Sequence, residues 1–280
     1  MRKNKKLGIV APFTPDLFKT EYFTRVLSGI LETLRVGEYD LEWALLRDEQ
    51  RSLPEEFYTQ GTVSGLICLS WRLHAQALNV FYQKTQLPMV FINDYMPKLQ
   101  ASMVYCESKM GILLAMKHLI KHGSKRIGIL RAPGENSLDA QERYRIYRQI
   151  LKREGLTWDE GLERVCAYYF PQDGYVQTMD ILKNSSVLPD ALLCFNDDIA
   201  FGAIRALKDS GLACPGRVAI VGYDDDDKGK YISPALTTIR QPLELMGGEM
   251  AHILIDQIEG RSKGPIYREF TQELVIRQSA

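Results

Sequence analysis

The sequence predicts an α/β protein made of two lobes, each a doubly wound parallel sheet. Three observations carry this. Short apolar runs alternate with longer segments of helical periodicity. The alternation restarts after about residue 105. The chain's 280 residues suffice for two lobes of ordinary domain size. Short runs that are apolar throughout, rather than alternating with polar residues, mark parallel strands covered by helices on both faces.

In the first half, Leu7-Gly8-Ile9-Val10 reads as a strand. Phe23, Val26, Leu27, Ile30, Leu31 and Leu34 then mark one helical face. Leu41-Glu42-Trp43-Ala44-Leu45 is the next strand, followed by a helix around residues 54–60 and the strand Gly65-Leu66-Ile67-Cys68-Leu69. A helix from Leu73 to Thr85 and a strand over Pro88-Met89-Val90-Phe91-Ile92 complete the half. In the second half, Met110 to His122 is helical and stops at Gly123. The strand Arg126–Leu130, the helix Gln141–Glu154, the strand Val165–Tyr169 and the helix Val176–Lys183 follow. The strand Ala191–Phe195, the helix Ile199–Ser210 and the strand Val218–Tyr223 close the pattern. A last helix over Leu243 to Glu259 and a strand near Gln272 to Arg277 come after both halves, and pattern alone assigns neither to a lobe.

Lys+Arg and Asp+Glu each number 35, so the chain lacks the overall positive charge of a nucleic-acid-binding domain. The one basic cluster, Arg2, Lys3, Lys5 and Lys6, is too small to be such a domain and suits the end of a linker leading from one. No apolar run reaches the ~20 residues of a membrane span. The start lacks the apolar core and cleavage site of a secretion signal, so the chain reads as cytoplasmic, with no membrane contact. The five cysteines are odd in number and form no C-x-x-C pair, which points to buried free thiols.

Ligands of open α/β sheets bind outside the carboxyl ends of the strands, so polar and aromatic residues just after strands are the candidate site. Asn196-Asp197 follows one strand and can cap the next helix, present an amide and a carboxylate to a ligand, or divide the two roles. Asp224 opens an acidic run, Asp224 to Asp227, at another strand end. That run lacks the alternation, glycine and distant glutamate of a calcium loop and otherwise reads as a solvated acidic loop. Arg143, read in the first turn of its helix, opposes the helix dipole there; it offers donors to hydroxyls or a carboxylate, or else pairs with Glu142 or Asp139. Tyr22, Phe23, Trp71, Tyr169 and Phe170 lie near strand–helix junctions, where aromatic faces stack on sugars or bases. Phe23 belongs to an apolar helix face, whereas Trp71 beside Ser70 follows a strand. His118 and His122 are four apart on a helix but have no third ligand in view, so no metal is expected. No catalytic or phosphate-cradling motif is present, so neither an enzyme nor a cofactor is expected.

Several fragments, in order, resemble the LacI/GalR family of transcription regulators. Thr20-Glu21-Tyr22-Phe23 with Gly29-Ile30 is similar to the family's N-P-F-F…G-I start, with Glu21 in place of proline. His118-Leu119, Gly123 and Arg126-Ile127 resemble H-L…G…R-I. Asn196-Asp197, Ala200, Gly202, Ala206-Leu207 and Gly211 match N-D-x-x-A-x-G-x-x-x-A-L-x-x-x-G. Val221-Gly222-Tyr223-Asp224-Asp225 matches V-G-[FY]-D-D, Leu236-Thr237-Thr238-Ile239 matches the L-T-T-[IV] segment, and Leu274-Val275-Ile276-Arg277-Gln278-Ser279 resembles the usual L-V-x-R-x-S ending. Ile146 stands where the family has glycine, Asn93 where aspartate is common, and Glu107-Ser108 where Asp-Asn is usual.

The resemblance implies the periplasmic-binding-protein-like fold, type I. It implies one lobe of residues 5–105 plus 242–270, another of 106–241 plus 271–280, and a hinge of several chain crossings. It implies ligand contacts from Arg143, Asn196, Asp224, Gln241 and Tyr169, facing Tyr22, Ser70, Trp71 and Asn93. The expected function is the effector-sensing domain of a regulator: a small polar effector, sugar-like, closes the lobes and controls DNA binding. The partners implied are a second copy of the chain and a DNA operator, reached through a helix-turn-helix head for which residues 1–4 are the linker remnant. The alternatives are an exported sugar-binding component of a transporter and, less favoured, a hydrolase.

Overall fold

The computed structural model describes residues 5–12, 17–35, 39–47, 62–69, 75–93, 96, 99–131 and 137–280. These fall into two compact units, one drawn from Met1–Cys106, 137–138 and Pro242–Phe270, the other from Glu107–Glu135, Asp139–Gln241 and Thr271–Ala280. The helix expected around 54–60 lies outside the described residues. Among the described residues no helix is long and apolar enough to cross a membrane.

The first unit contains β1 (Lys5–Pro12), α1 (Glu21–Leu34), β2 (Tyr39–Leu46), β3 (Gly65–Cys68), α2 (Ala75–Thr85), β4 (Met89–Ile92) and β5 (Ser102–Cys106). The chain returns to it with α7 (Leu243–Ile258) and β11 (Tyr267–Phe270). The sheet order is β11-β5-β4-β3-β1-β2, and every neighbouring pair is parallel. Strand period sorts the core into two faces. Leu7, Ile9, Ile67, Val90, Ile92 and Val104 pack with α1 and α7. Val10, Leu66, Cys68, Met89, Phe91 and Met103 pack with Leu78 and Phe81 of α2. Helix α1 forms because Phe23, Val26, Ile30 and Leu34 recur at helical spacing and are all buried. It meets α7 at close range: a β-carbon on Gly29 would strike the Glu244 carbonyl, and one on Gly247 the Val26 carbonyl.

The second unit contains α3 (Ser108–Lys121), β6 (Ile127–Arg131), α4 (Leu138–Arg153, all but its first residue), β7 (Glu163–Val165), α5 (Pro171–Asn184) and β8 (Ala191–Cys194). It continues with α6 (Asp197–Asp209), β9 (Ala219–Asp224), β10 (Thr237–Arg240) and β12 (Glu273–Val275). The order is β12-β10-β9-β8-β6-β7, parallel except for the β10–β12 pair. Both sheets share one plan, in which the first strand sits between the second and the third. The order therefore reverses between β1 and β3 in one unit and between β6 and β8 in the other, and at such a switch point the following loops part and leave a crevice.

Some boundaries differ from the sequence reading. Helix α4 starts at Leu138 rather than near 141, which places Arg143 in its second turn, so the dipole argument for that residue weakens. Helix α5 starts at Pro171, where proline suits the first turn and the Asp173 carboxylate accepts the Phe170 N–H at 3.4 Å. The seventh strand covers Glu163–Val165 and is a short sheet edge, not residues 165–169.

Candidate functional site

The second unit gathers five of the singled-out residues at the carboxyl ends of its strands. Asn196 follows β8, Asp224 ends β9, Gln241 follows β10, Tyr169 lies between β7 and α5, and Arg143 projects from α4, the helix after β6. Helix α4, which bears Arg143, and the turn bearing Asn196 thus follow the two strands that flank the switch point.

Arg143 is the hub. Its Nη1 donates to the Phe195 carbonyl at 3.0 Å, and its Nη2 lies 2.5 Å from Asp139 Oδ2, one helical turn earlier. The guanidinium lies over the Tyr223 ring, 3.6 Å from the centroid. Burial opposes its charge, but Asp139 and Asp224 outweigh that and hold it firmly protonated. The Nε–H is buried and has no partner among the described residues. The salt bridge to Asp139 is one of the pairings the sequence left open.

Asn196 uses one acceptor site and one N–H of its amide within the protein. Its Oδ1 caps α6 by accepting the Ile199 N–H at 2.9 Å, and its Nδ2 donates to the Tyr169 carbonyl at 3.1 Å. Tyr169 therefore joins the cluster through its backbone. Phe170 caps α5, and its ring stacks on Tyr168, with centroids 6.1 Å apart. Asp224 has φ +107°, a left-handed conformation unusual for a non-glycine residue, and its Oδ1 accepts Gln241 Nε2 at 2.7 Å. Gln241 and Gln272 are both buried; Gln272 Nε2 lies 2.5 Å from the Tyr223 hydroxyl and 3.4 Å from Gln241 Oε1. Arg143, Tyr223, Gln272, Gln241 and Asp224 are thus one connected polar layer under the strand ends.

Two expectations about acidic residues need correction. Asp197 does not face a crevice. It is 2% exposed and points inward, where it accepts the Thr238 hydroxyl at 2.6 Å and the Asp226 N–H at 2.7 Å. A β-carbon on Gly222 would collide with the Asp197 carboxylate, which explains the glycine at that point of β9. Nor is Asp224 to Asp227 a solvated loop throughout, although Asp227 is exposed. Asp225 and Asp226 are buried; Asp225 accepts Arg240 Nε at 2.6 Å and bonds Arg277, while Asp226 accepts the Lys228 N–H at 2.8 Å. The run is a charge-matched corner: Asp225 takes Arg240 of β10 and Arg277 of the tail after β12, while the neighbouring Lys228 and Lys230 pair with Asp226 and Asp227.

In the first unit, Tyr22 opens α1 and Asn93 follows β4; Asn93 Nδ2 donates to the Tyr22 hydroxyl at 2.7 Å. Asn93 has φ +64°, which asparagine tolerates, and its Oδ1 is buried without a partner among the described residues. Ser70 and Trp71 lie outside the described residues.

The His118 and His122 rings lie 4.3 Å apart. Among the described residues no group of three or more His, Cys, Asp or Glu side chains could hold a metal. All five cysteines are free, and burial pushes the Cys166 and Cys214 thiols up to about 12, which leaves them unreactive.

The sequence reading missed Tyr223 and Gln272 as site partners. Tyr223 sat inside an apolar strand run. Gln272 is a lone polar residue in the tail that only the antiparallel β12 brings to the site, and nothing in the pattern marks it.

Residues 116–280 match the family described as periplasmic binding protein-like domain. The chain is 33% identical over 281 residues to the HTH-type transcriptional repressor PurR of Haemophilus influenzae, covering 98% of this chain and 81% of that protein. It is similar in structure to a transcriptional regulator CelR–cellobiose complex, with TM-score 0.84, 25% identity, and coverage of 100% of this chain and 85% of the other. It is also similar to the lac repressor dimer bound to operator and the anti-inducer ONPF, with TM-score 0.86, 23% identity, and coverage of 100% and 95%.

Proposed function

The chain belongs to the LacI/GalR family of transcription regulators, and from that premise we propose that it is the part of such a regulator that senses a small polar effector, a sugar or sugar derivative. The observation that carries this is the convergence of Arg143, Asn196, Asp224 and Gln241 on the strand ends around a switch point. Fixed donors and acceptors there, with Tyr169 and Phe170 beside them, suit a ligand rich in hydroxyls. The cellobiose bound to CelR agrees in chemistry.

Tyr22, Ser70, Trp71 and Asn93 of the first unit supply the opposing contacts in this proposal. The effector binds one relative arrangement of the lobes more tightly than the other, and only that difference in affinity shifts the population. In a homodimer the shift alters the spacing of two helix-turn-helix heads on an operator. The lac repressor dimer on its operator supports this assembly. The chain binds without turnover and works in the cytoplasm.

The test is titration calorimetry against sugars and nucleosides, repeated with Arg143→Ala and Asp224→Asn. Each removes a charge-assisted contact worth about 1.5–3 kcal/mol, so affinity falls by about 10- to 100-fold. Unchanged affinity for a confirmed ligand in both variants refutes the assignment.

A further inference from the structure

The polar layer under the strand ends has a direction. The Asp224 carboxylate only accepts, and it takes Gln241 Nε2 at 2.7 Å. That turns Gln241 Oε1 the other way, where it accepts Gln272 Nε2 at 3.4 Å. The same nitrogen donates to the Tyr223 hydroxyl at 2.5 Å, and the Tyr223 ring carries the Arg143 guanidinium. Gln272 therefore stands in the middle of a relay, with Gln241 and Asp224 on one side and Tyr223 and Arg143 on the other. It is 6% exposed and lies two residues after the chain passes from the first unit into the second. Gly111 of α3 makes room for it, since a β-carbon there would strike Gln272 Oε1.

We propose that Gln272 is a positioning residue for the effector site. By donating two ways from one nitrogen it fixes the direction of the relay, and so holds Asp224 and Arg143 in one arrangement. The inference rests on the effector-sensing role proposed for those two residues and adds one that acts on the ligand only through others. A side chain that merely fills space can be replaced by any other of its size. A relay is different, because each member's polarity dictates the next. In Gln272→Glu the new carboxylate accepts only. Gln241 then has a carboxylate on each side, and whichever way its amide turns, its oxygen meets one of them. Asp224→Asn relieves the conflict: the new amide donates to Gln241 Oε1, and Gln241 Nε2 donates to the carboxylate at 272.

Urea denaturation of the whole chain tests the relay without a ligand, at about pH 8.5 to keep the introduced carboxyl ionised. Gln272→Glu lowers the folding equilibrium constant about 100-fold, and adding Asp224→Asn recovers at least about 10-fold of that. The recovery disappears in a Gln241→Met background. Additive single effects overturn the proposal. So does a recovery that persists without Gln241, which marks plain repulsion between two carboxylates. Nuclear magnetic resonance then reads the positioning. In Gln272→Met, which keeps the side-chain length and loses the bonds, the buried Arg143 Nε–H exchanges with solvent at least about 10-fold faster. The Arg126 Nε–H, also buried but just before β6 at the opposite strand ends, keeps its rate. Equal changes at both arginines, or none at Arg143, overturn the proposal. Calorimetry with cellobiose, ribose and adenosine adds the functional reading: each one that the natural chain binds is held at least about 10-fold more weakly by Gln272→Met, and equal affinity overturns the proposal. If the natural chain binds none of the three, the effector role is what fails, and the two ligand-free readings still decide whether Gln272 positions the relay.

Discussion

Replacing Asp197 separates the hydrogen bonds of a buried acid from its charge. The side chain is 2% exposed and meets the Thr238 hydroxyl at 2.6 Å and the Asp226 N–H at 2.7 Å. Burial pushes its pKa well above the ordinary carboxylate range, Asp224 and Asp225 push it further, and the bonds to Thr238 and the Asp226 N–H pull it back only in part. Asp197→Ala leaves two buried polar groups unpaired at about 1–3 kcal/mol each, so the loss is about 2–5 kcal/mol and the Tm falls by about 5–15 °C. Asp197→Asn keeps the shape: its amide nitrogen donates to Thr238 Oγ1, and its oxygen accepts the Asp226 N–H. At and below about pH 4 that variant lies within about 1 kcal/mol of the natural chain. Above that pH the two diverge, because the unfolded carboxyl ionises near pH 4 while the folded one holds its proton to higher pH. Stability of the natural chain therefore falls by up to about 1.4 kcal/mol per pH unit over that window, and the asparagine variant escapes this loss. Urea denaturation followed by circular dichroism from pH 4 to 8 measures all three proteins. The reasoning is refuted if asparagine costs as much as alanine, or if the gap between asparagine and the natural residue does not change with pH.

Asp225 titrates the other way. Burial alone would raise it, but Arg240 and Arg277 hold its carboxyl below the ordinary range, so its contribution is present above about pH 4 and lost as pH falls through the lowered value. Asp225→Asn should cost about 2–4 kcal/mol at pH 7 and progressively less in acid, read from the same denaturation series. Gly202→Ala would drive a methyl into the backbone of Pro171 and Tyr175, where α6 crosses α5; a loss of about 2 kcal/mol or more is expected, and an unchanged urea midpoint contradicts it. Tyr147→Phe removes a buried hydroxyl that donates to the Ile127 carbonyl at 2.6 Å, which should cost about 1 kcal/mol by thermal unfolding.

The order of strands and helices was legible wherever hydrophobicity carried the signal. Ala191–Cys194 is apolar because helices cover it on both sides, and α1 shows its stripe openly. The strands β5, β10 and β11 escaped notice for a physical reason that β10 makes plain. Thr237 and Thr238 are fully buried, but their hydroxyls are matched, Thr238 to Asp197 and Thr237 to the Arg277 N–H, so a core strand presents as polar sequence. Arg143, Asn196 and Asp224 could be singled out because polar residues after apolar runs mark strand ends. The inward turn of Asp197 and the pairing of Asp225 with Arg277 depend on partners 41 and 52 positions away, and no local pattern encodes such distances.

The last stretch of chain serves both halves of the molecule. Leu243–Ile258 and Tyr267–Phe270 complete the first unit, and Glu273–Val275 closes the sheet of the second. Neither half can be excised as one continuous piece. During synthesis the earlier sheet must wait, with the face that α7 covers open to solvent, until the ribosome has released residues 243–270, after nearly all of the second unit. A nonsense mutation after residue 241 would thus strip an essential layer from each half at once, and chaperone dependence should be greatest in that interval.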